Sequence, residues 1–146
     1  MSGKLPRSED ARLNFAIAQE VFGMRVEAIE PEWYRQTVWL FFKEGFPNVV
    51  YSYDNNACNA MMYRNGKDIS GGTAPPLPFW SSEFGGAWEV IAELKQRGGD
   101  TWKNFERLSA TFLPFWAYDS TEELAKDICL TALEAVRGAP WLPNAT

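Results

Sequence analysis

The run Thr37-Val38-Trp39-Leu40-Phe41-Phe42 is apolar on both faces that a β-strand presents, and it limits the fold more than any other segment. Successive side chains of a strand point to opposite sides, so Val38, Leu40 and Phe42 share one face while Thr37, Trp39 and Phe41 share the other. A sheet with one wet face alternates apolar and polar residues, whereas a strand apolar on both sides needs cover on both. The Gln36–Lys43 stretch is therefore expected at the centre of a sheet with helices packed on its two sides.

Three segments carry the period and punctuation of such helices. Ser8 to Phe22 opens with a capping serine and the acidic pair Glu9-Asp10, repeats Leu13, Ile17 and Val21 at helical spacing, and stops at Gly23. A second helix starts at Ser81 or Ser82 and is expected to bury Phe84, Ala87, Trp88, Ile91 and Leu94 before Gly98-Gly99. Its Gly85-Gly86 pair is costly in a helix, by about 1 kcal/mol per glycine against alanine, and a close backbone contact would justify it. In the third, Ser120 and Glu123 form a capping-box pattern ahead of the stripe Leu124, Ile128, Ala132, Ala135 and Val136, with Gly138 and Pro140 as stops.

The remaining segments read as strands and turns. Met24–Ile29 and Val49–Tyr53 flank the central run, and Asn59–Arg64 and Lys67–Ser70 flank Asn65-Gly66, a dipeptide suited to a tight hairpin because both residues tolerate positive φ. Gly71 to Pro78 reads as an irregular crossing, and Trp102–Leu108 and Ala110–Tyr118 as two more strands, with Pro114 marking an edge or bulge. The whole predicts one α+β domain over residues 1–146. It has a mainly antiparallel sheet of about five to six strands and three helices on its faces, an α/β/α sandwich, with 1–7 and 139–146 as loosely packed ends.

Asn14-Phe15-Ala16-Ile17-Ala18 closing on Gly23, the Ser81–Arg97 helix with Ala87-Trp88-Glu89-Val90, and the ending Ile128-Cys129-Leu130-Thr131-Ala132-Leu133-Glu134-Ala135-Val136 resemble, in order, the three helices of the phage ABA sandwich domain. That family comprises small phage and prophage proteins. The stretch from about Met24 to Pro78 is longer than the family pattern and matches none of its motifs, and Met24 stands where an aromatic residue often follows the glycine. The resemblance implies architecture and a phage or prophage accessory role, with host takeover or counter-defence as its setting. It transmits no catalytic site.

The chemistry of the residues excludes more than it assigns. With no histidine anywhere in the chain, a Ser-His-Asp or Cys-His nucleophile, the commonest acid–base group near neutrality and imidazole metal ligands are all ruled out. No glycine-rich loop precedes Lys-Ser or Lys-Thr; Gly71-Gly72 lies in the crossing and Gly98-Gly99 follows a helix. Cys129, between Ile128 and Leu130, reads as a small core residue, and Cys58 lacks a histidine to lower its pKa. Glu27, Glu30 and Glu32 around Pro31 form a solvated acidic turn better than a metal site, since divalent ions need several converging oxygens. Neither cofactor nor metal is expected. A net charge of −5 argues against direct nucleic-acid binding, which needs clustered Lys and Arg. The absence of a long apolar run or signal sequence, and only two cysteines, predict a soluble protein of the host cytoplasm.

Aromatics supply the positive signal. Of seven tryptophans, Trp39 and Trp88 fit the core. Trp33-Tyr34, Phe79-Trp80, Phe115-Trp116-Ala117-Tyr118 and Trp141 instead stand at element boundaries, where partly exposed rings serve as interface anchors. A binding face is predicted from Trp80, Trp116 and Tyr118, with Asp54, Asn55 and Asn56 as a polar rim. The leading expectation is a non-enzymatic phage accessory protein that binds and inhibits a host protein, most concretely a defence effector in the manner of an anti-CRISPR. An alternative is a sponge for a nucleotide signal, stacking the base on aromatics and using Arg25, Arg35 or Arg64 for phosphate. A further alternative is an enzyme working through Cys58 or paired carboxylates. Self-association into a dimer is compatible with each.

Overall fold

A computed structural model describes residues 5–30, 37–46, 49–54, 61–64, 67–73, 76–110 and 120–142. The chain divides into two compact units, Met1–Ser8 with Gly23–Leu77 and Glu9–Phe22 with Pro78–Thr146. The first carries all the described strands and the second all the described helices.

In the first unit, β1 (Arg25–Ile29), β2 (Val38–Phe42) and β3 (Tyr51–Asp54) form an antiparallel sheet in that order, so β2 is central as its two-sided apolar pattern requires. All five residues of β2 are buried. Val38, Leu40 and Phe42 pack with Val49 and the partly buried Ile29 on one face, and on the other the Trp39 ring lies 6.0 Å from that of its cross-strand partner Tyr53. Gly45, at φ +84°, turns the chain between β2 and β3, where Phe46 donates its N–H to the Lys43 carbonyl. Beyond β3, Pro76 pairs in parallel with Ser52, and the Leu77 N–H donates to the Ser52 carbonyl at 2.9 Å.

The strands β4 (Met61–Arg64) and β5 (Lys67–Thr73) pair as the expected antiparallel hairpin, with Arg64 opposite Lys67 and a register shift between Met61 and Tyr63. They form their own two-stranded sheet. The single sheet of five to six strands is therefore corrected. Among the described residues three strands make one antiparallel sheet and two make a separate hairpin, and β5 runs through Gly71-Gly72-Thr73, expected to be an irregular crossing.

Among the described residues the second unit holds four helices, one more than predicted, so the three-helix α/β/α sandwich does not describe this chain. Helix α1 (Glu9–Ala16) continues as a π-helical turn, Ile17–Val21, that ends before Gly23 at φ +68°. Helix α2 spans Phe84–Arg97, α3 Gly99–Ser109 and α4 Thr121–Arg137. The new element is α3, which occupies the stretch read as a Trp102–Leu108 strand. Its apolar residues Trp102, Phe105 and Leu108 recur every third position, a helical spacing, and the Trp102 and Phe105 rings stack 5.7 Å apart. Gly98 ends α2 and begins α3; its φ of +65° lets the chain change direction between two helices with no intervening loop. Of the expected Ala110–Tyr118 strand, Ala110 instead caps the C-terminus of α3, and residues 111–118, the Asn65-Gly66 turn and Cys58 lie outside the described residues.

Helix α4 follows its sequence signals closely. The Ser120 hydroxyl accepts the Glu123 N–H at 3.2 Å, and Gly138, left-handed at φ +80°, donates its N–H to the Glu134 carbonyl. Leu124, Ile128, Ala132 and Ala135 are buried as expected, together with Ala125, Cys129 and Leu133, whereas Val136, the last residue of the expected stripe, is half-buried. Against this helix pack α2, α3 and the π-helical turn. Two arginines fasten that turn. Arg97 donates to the carbonyls of Glu20 and Val21, neutralising the negative helix end, and Arg137 forks onto the Glu20 carboxylate through Nε and an Nη. The hydrogen bond to Glu20 raises the Arg137 pKa above its ordinary value.

Candidate functional site

Helix α2 does not begin where a serine cap was expected. Ser81 is buried, donating its N–H to the Asn14 side chain at 3.0 Å, and Ser82 and Glu83 both donate N–H groups to the Phe79 carbonyl. The N-cap is Glu83, without a side-chain capping bond. This tight entry lays Trp80 against the helix it precedes.

Two tryptophans consequently exchange the places predicted for them. Trp80, proposed as an exposed contact, is 2% exposed. Its ring stacks on Phe22 at 5.0 Å and its Nε1–H donates to Glu89 Oε2 at 3.3 Å. Trp88, proposed as core, is 54% exposed, its ring 5.9 Å from that of Phe84 one turn earlier. The buried stripe of α2 is Ala87, Val90 and Leu94, with Phe84 and Ile91 half-buried at its margin. A helix turns about 100° per residue, so this stripe is rotated away from the one that would have enclosed Trp88.

The glycine pair divides along the same line. A Cβ on Gly86 would stand 3.0 Å from the Trp80 Cα, so glycine there is what lets Trp80 close onto α2. A Cβ on Gly85 would meet nothing within 4 Å. Gly85 thus bears the helix cost of glycine, about 1 kcal/mol, without an intramolecular contact that requires it.

The exposed face of α2 consists of Gly85, Trp88, Glu89, Ala92 and Gln96, with Lys95 and Arg97 at its far end. Phe79, 50% exposed, stands at the near end. Of the other residues predicted to bind, Asp54 of the polar rim closes β3 and is buried, and Arg64, considered for phosphate, ends β4 opposite Lys67. Asn55, Asn56, Trp116 and Tyr118 lie outside the described residues. The sequence signal that was available for Phe79 was its place beside Trp80 at a helix start; for Trp88 no local signal distinguished surface from core.

Other chemistry is narrowly bounded. Burial pushes the Cys129 thiol up to about 12, so it stays protonated and unreactive. Arg25, one cation considered for phosphate, is ion-paired with Glu27 and sits over the Phe42 ring at 4.4 Å. Glu30 accepts a hydrogen bond from Thr37, and no group of three potential metal ligands occurs among the described residues. No described helix is long and apolar enough to cross a membrane. Compared with known proteins, the chain matches no family model, no curated protein and no solved structure.

Proposed function

We propose that this chain is a non-enzymatic protein-binding protein whose contact face is the outer side of α2. In the setting implied by its resemblance to phage accessory proteins, it binds and inhibits a host component, a bacterial defence effector. The observation that carries the reading is Trp88, a large ring held half in solvent on a well-anchored helix and paired with Phe84. Such rings lose little conformational freedom on binding and are enriched among residues that dominate interface energy. Lack of histidine and the protonated, buried Cys129 favour binding over catalysis.

The test compares capture of bacterial proteins by the tagged chain and by Trp88→Ala, both with the parent's melting temperature. A partner retained by the parent and lost by the variant is the expected result. Identical capture by both proteins removes α2 as the contact face. The inhibitory role is tested separately, by whether the expressed chain restores plaque formation by a phage that a bacterial defence system restricts; continued restriction in every system tried counts against it.

A further inference from the structure

We infer that the outer face of α2 takes an arginine-bearing segment of its protein partner, an inference that rests on the docking role proposed above. Along this face the aromatic wall of Phe84 and Trp88 runs on one side and ends at the exposed Lys95, the small residues Gly85 and Ala92 lie in the middle, and the exposed Glu89 and half-buried Glu93 stand on the other. The order follows from the helical turn of about 100° per residue, which puts Gly85 and Ala92 between Trp88 and Glu89. Open space above Gly85 lets a partner's backbone come close to α2.

Arginine is the side chain whose chemistry uses both walls at once. Its planar guanidinium stacks on an indole face and forks onto a carboxylate, whereas a lysine ammonium is a strongly hydrated point charge that does the first less well and the second not at all. The Glu89 carboxylate is held in place by the hydrogen bond it accepts from Trp80 Nε1, so it is positioned before a partner arrives. Glu89 and Glu93, together with the chain's net charge of −5, favour a basic segment over this part of the face, away from Lys95 and Arg97 at its far end.

The experiment uses the full chain and three amphipathic helical peptides that differ only in having arginine, lysine or glutamine beside their apolar face, with affinity read by titration. The arginine peptide is expected to bind at least tenfold more tightly than the lysine peptide. That preference should vanish in Trp88→Leu, which keeps apolar area without an indole, and in Glu89→Gln, which can still accept from Trp80. Gly85→Ala should weaken the arginine peptide at least threefold without lowering the melting temperature. No preference for arginine, or a preference that survives both Trp88→Leu and Glu89→Gln, overturns the inference. If the peptides show no preference while Trp88→Ala still loses a captured protein, the arginine assignment fails and the docking reading stands. If Trp88→Ala captures what the parent captures, the docking reading itself fails.

Discussion

Trp80 and Trp88 stand at either end of the same tight helix entry, and they have opposite environments. Trp80 is enclosed by Phe22, by the Gly86 backbone and by a hydrogen bond to Glu89, while Trp88 shares its surroundings with Phe84 and solvent. Composition and position give no reason for the difference. Backbone approach does: where a glycine lets the chain close, the indole is taken into the interior, and where the neighbouring rows are occupied by the tighter Ala87-Val90-Leu94 stripe, the indole is left outside.

The comparison makes separable predictions for stability and binding. The largest effect is expected from Trp80→Ala, which should lower folding stability by about 3–5 kcal/mol in denaturant titration, as for other large buried rings. Trp88→Ala should cost about 1 kcal/mol or less, the scale of an exposed aromatic pair. Similar losses for both would show that Trp88 is part of the interior after all. Next comes Gly86→Ala, whose new methyl meets the Trp80 backbone and should destabilise by about 1–3 kcal/mol; an unchanged midpoint would break the link between this glycine and the enclosure of Trp80.

A pH dependence probes the interior behind α2. Cys129 lies on α4, fully buried, with its thiol raised from 9.0 to about 12. Between those values the unfolded thiol ionises while the folded one holds its proton, so the unfolded state binds fewer protons and stability falls as pH rises. From pH 9 to about 10.5 this loss should be roughly 1.5 kcal/mol, and a Cys129→Val protein should show a correspondingly shallower decline. Equal slopes in the two proteins would mean that the thiol is not held in a dry interior. The smallest effect belongs to Gly85→Ala, expected to stabilise by up to about 1 kcal/mol, since the new methyl meets nothing and the helix gains propensity. A destabilised Gly85→Ala would show that this glycine has an intramolecular role like that of Gly86.

Local chemistry made part of this structure legible in advance. Ser120 caps α4 through Glu123, Gly23 and Gly138 sit at positive φ where helices end, Arg64 and Lys67 face each other across Asn65-Gly66, and β2 is central and buried throughout. The α3 helix was also legible in principle, from the three-residue spacing of Trp102, Phe105 and Leu108, but the glycines before it read as a stop with nothing helical to follow. In the candidate site, boundary aromatics were singled out by position, which reached Phe79 and missed Trp88.

What the sequence determined by itself is therefore whatever a few neighbouring residues decide between them: caps, left-handed stops, the antiparallel pairing of two successive strands and the two-sided burial of one strand, each governed by a hydrogen bond, a steric limit or a period within a short span. What only the tertiary structure decided is how the strands divide between a sheet and a hairpin and which stripe of α2 faces inward. Helix α2 carries two adjacent apolar rows, one through Phe84, Trp88 and Ile91 and one through Ala87, Val90 and Leu94, and either is a plausible inner face by periodicity alone. The second is chosen because its small and branched residues let α2 come close to α4, and close packing is a property of both helices together, written in neither one.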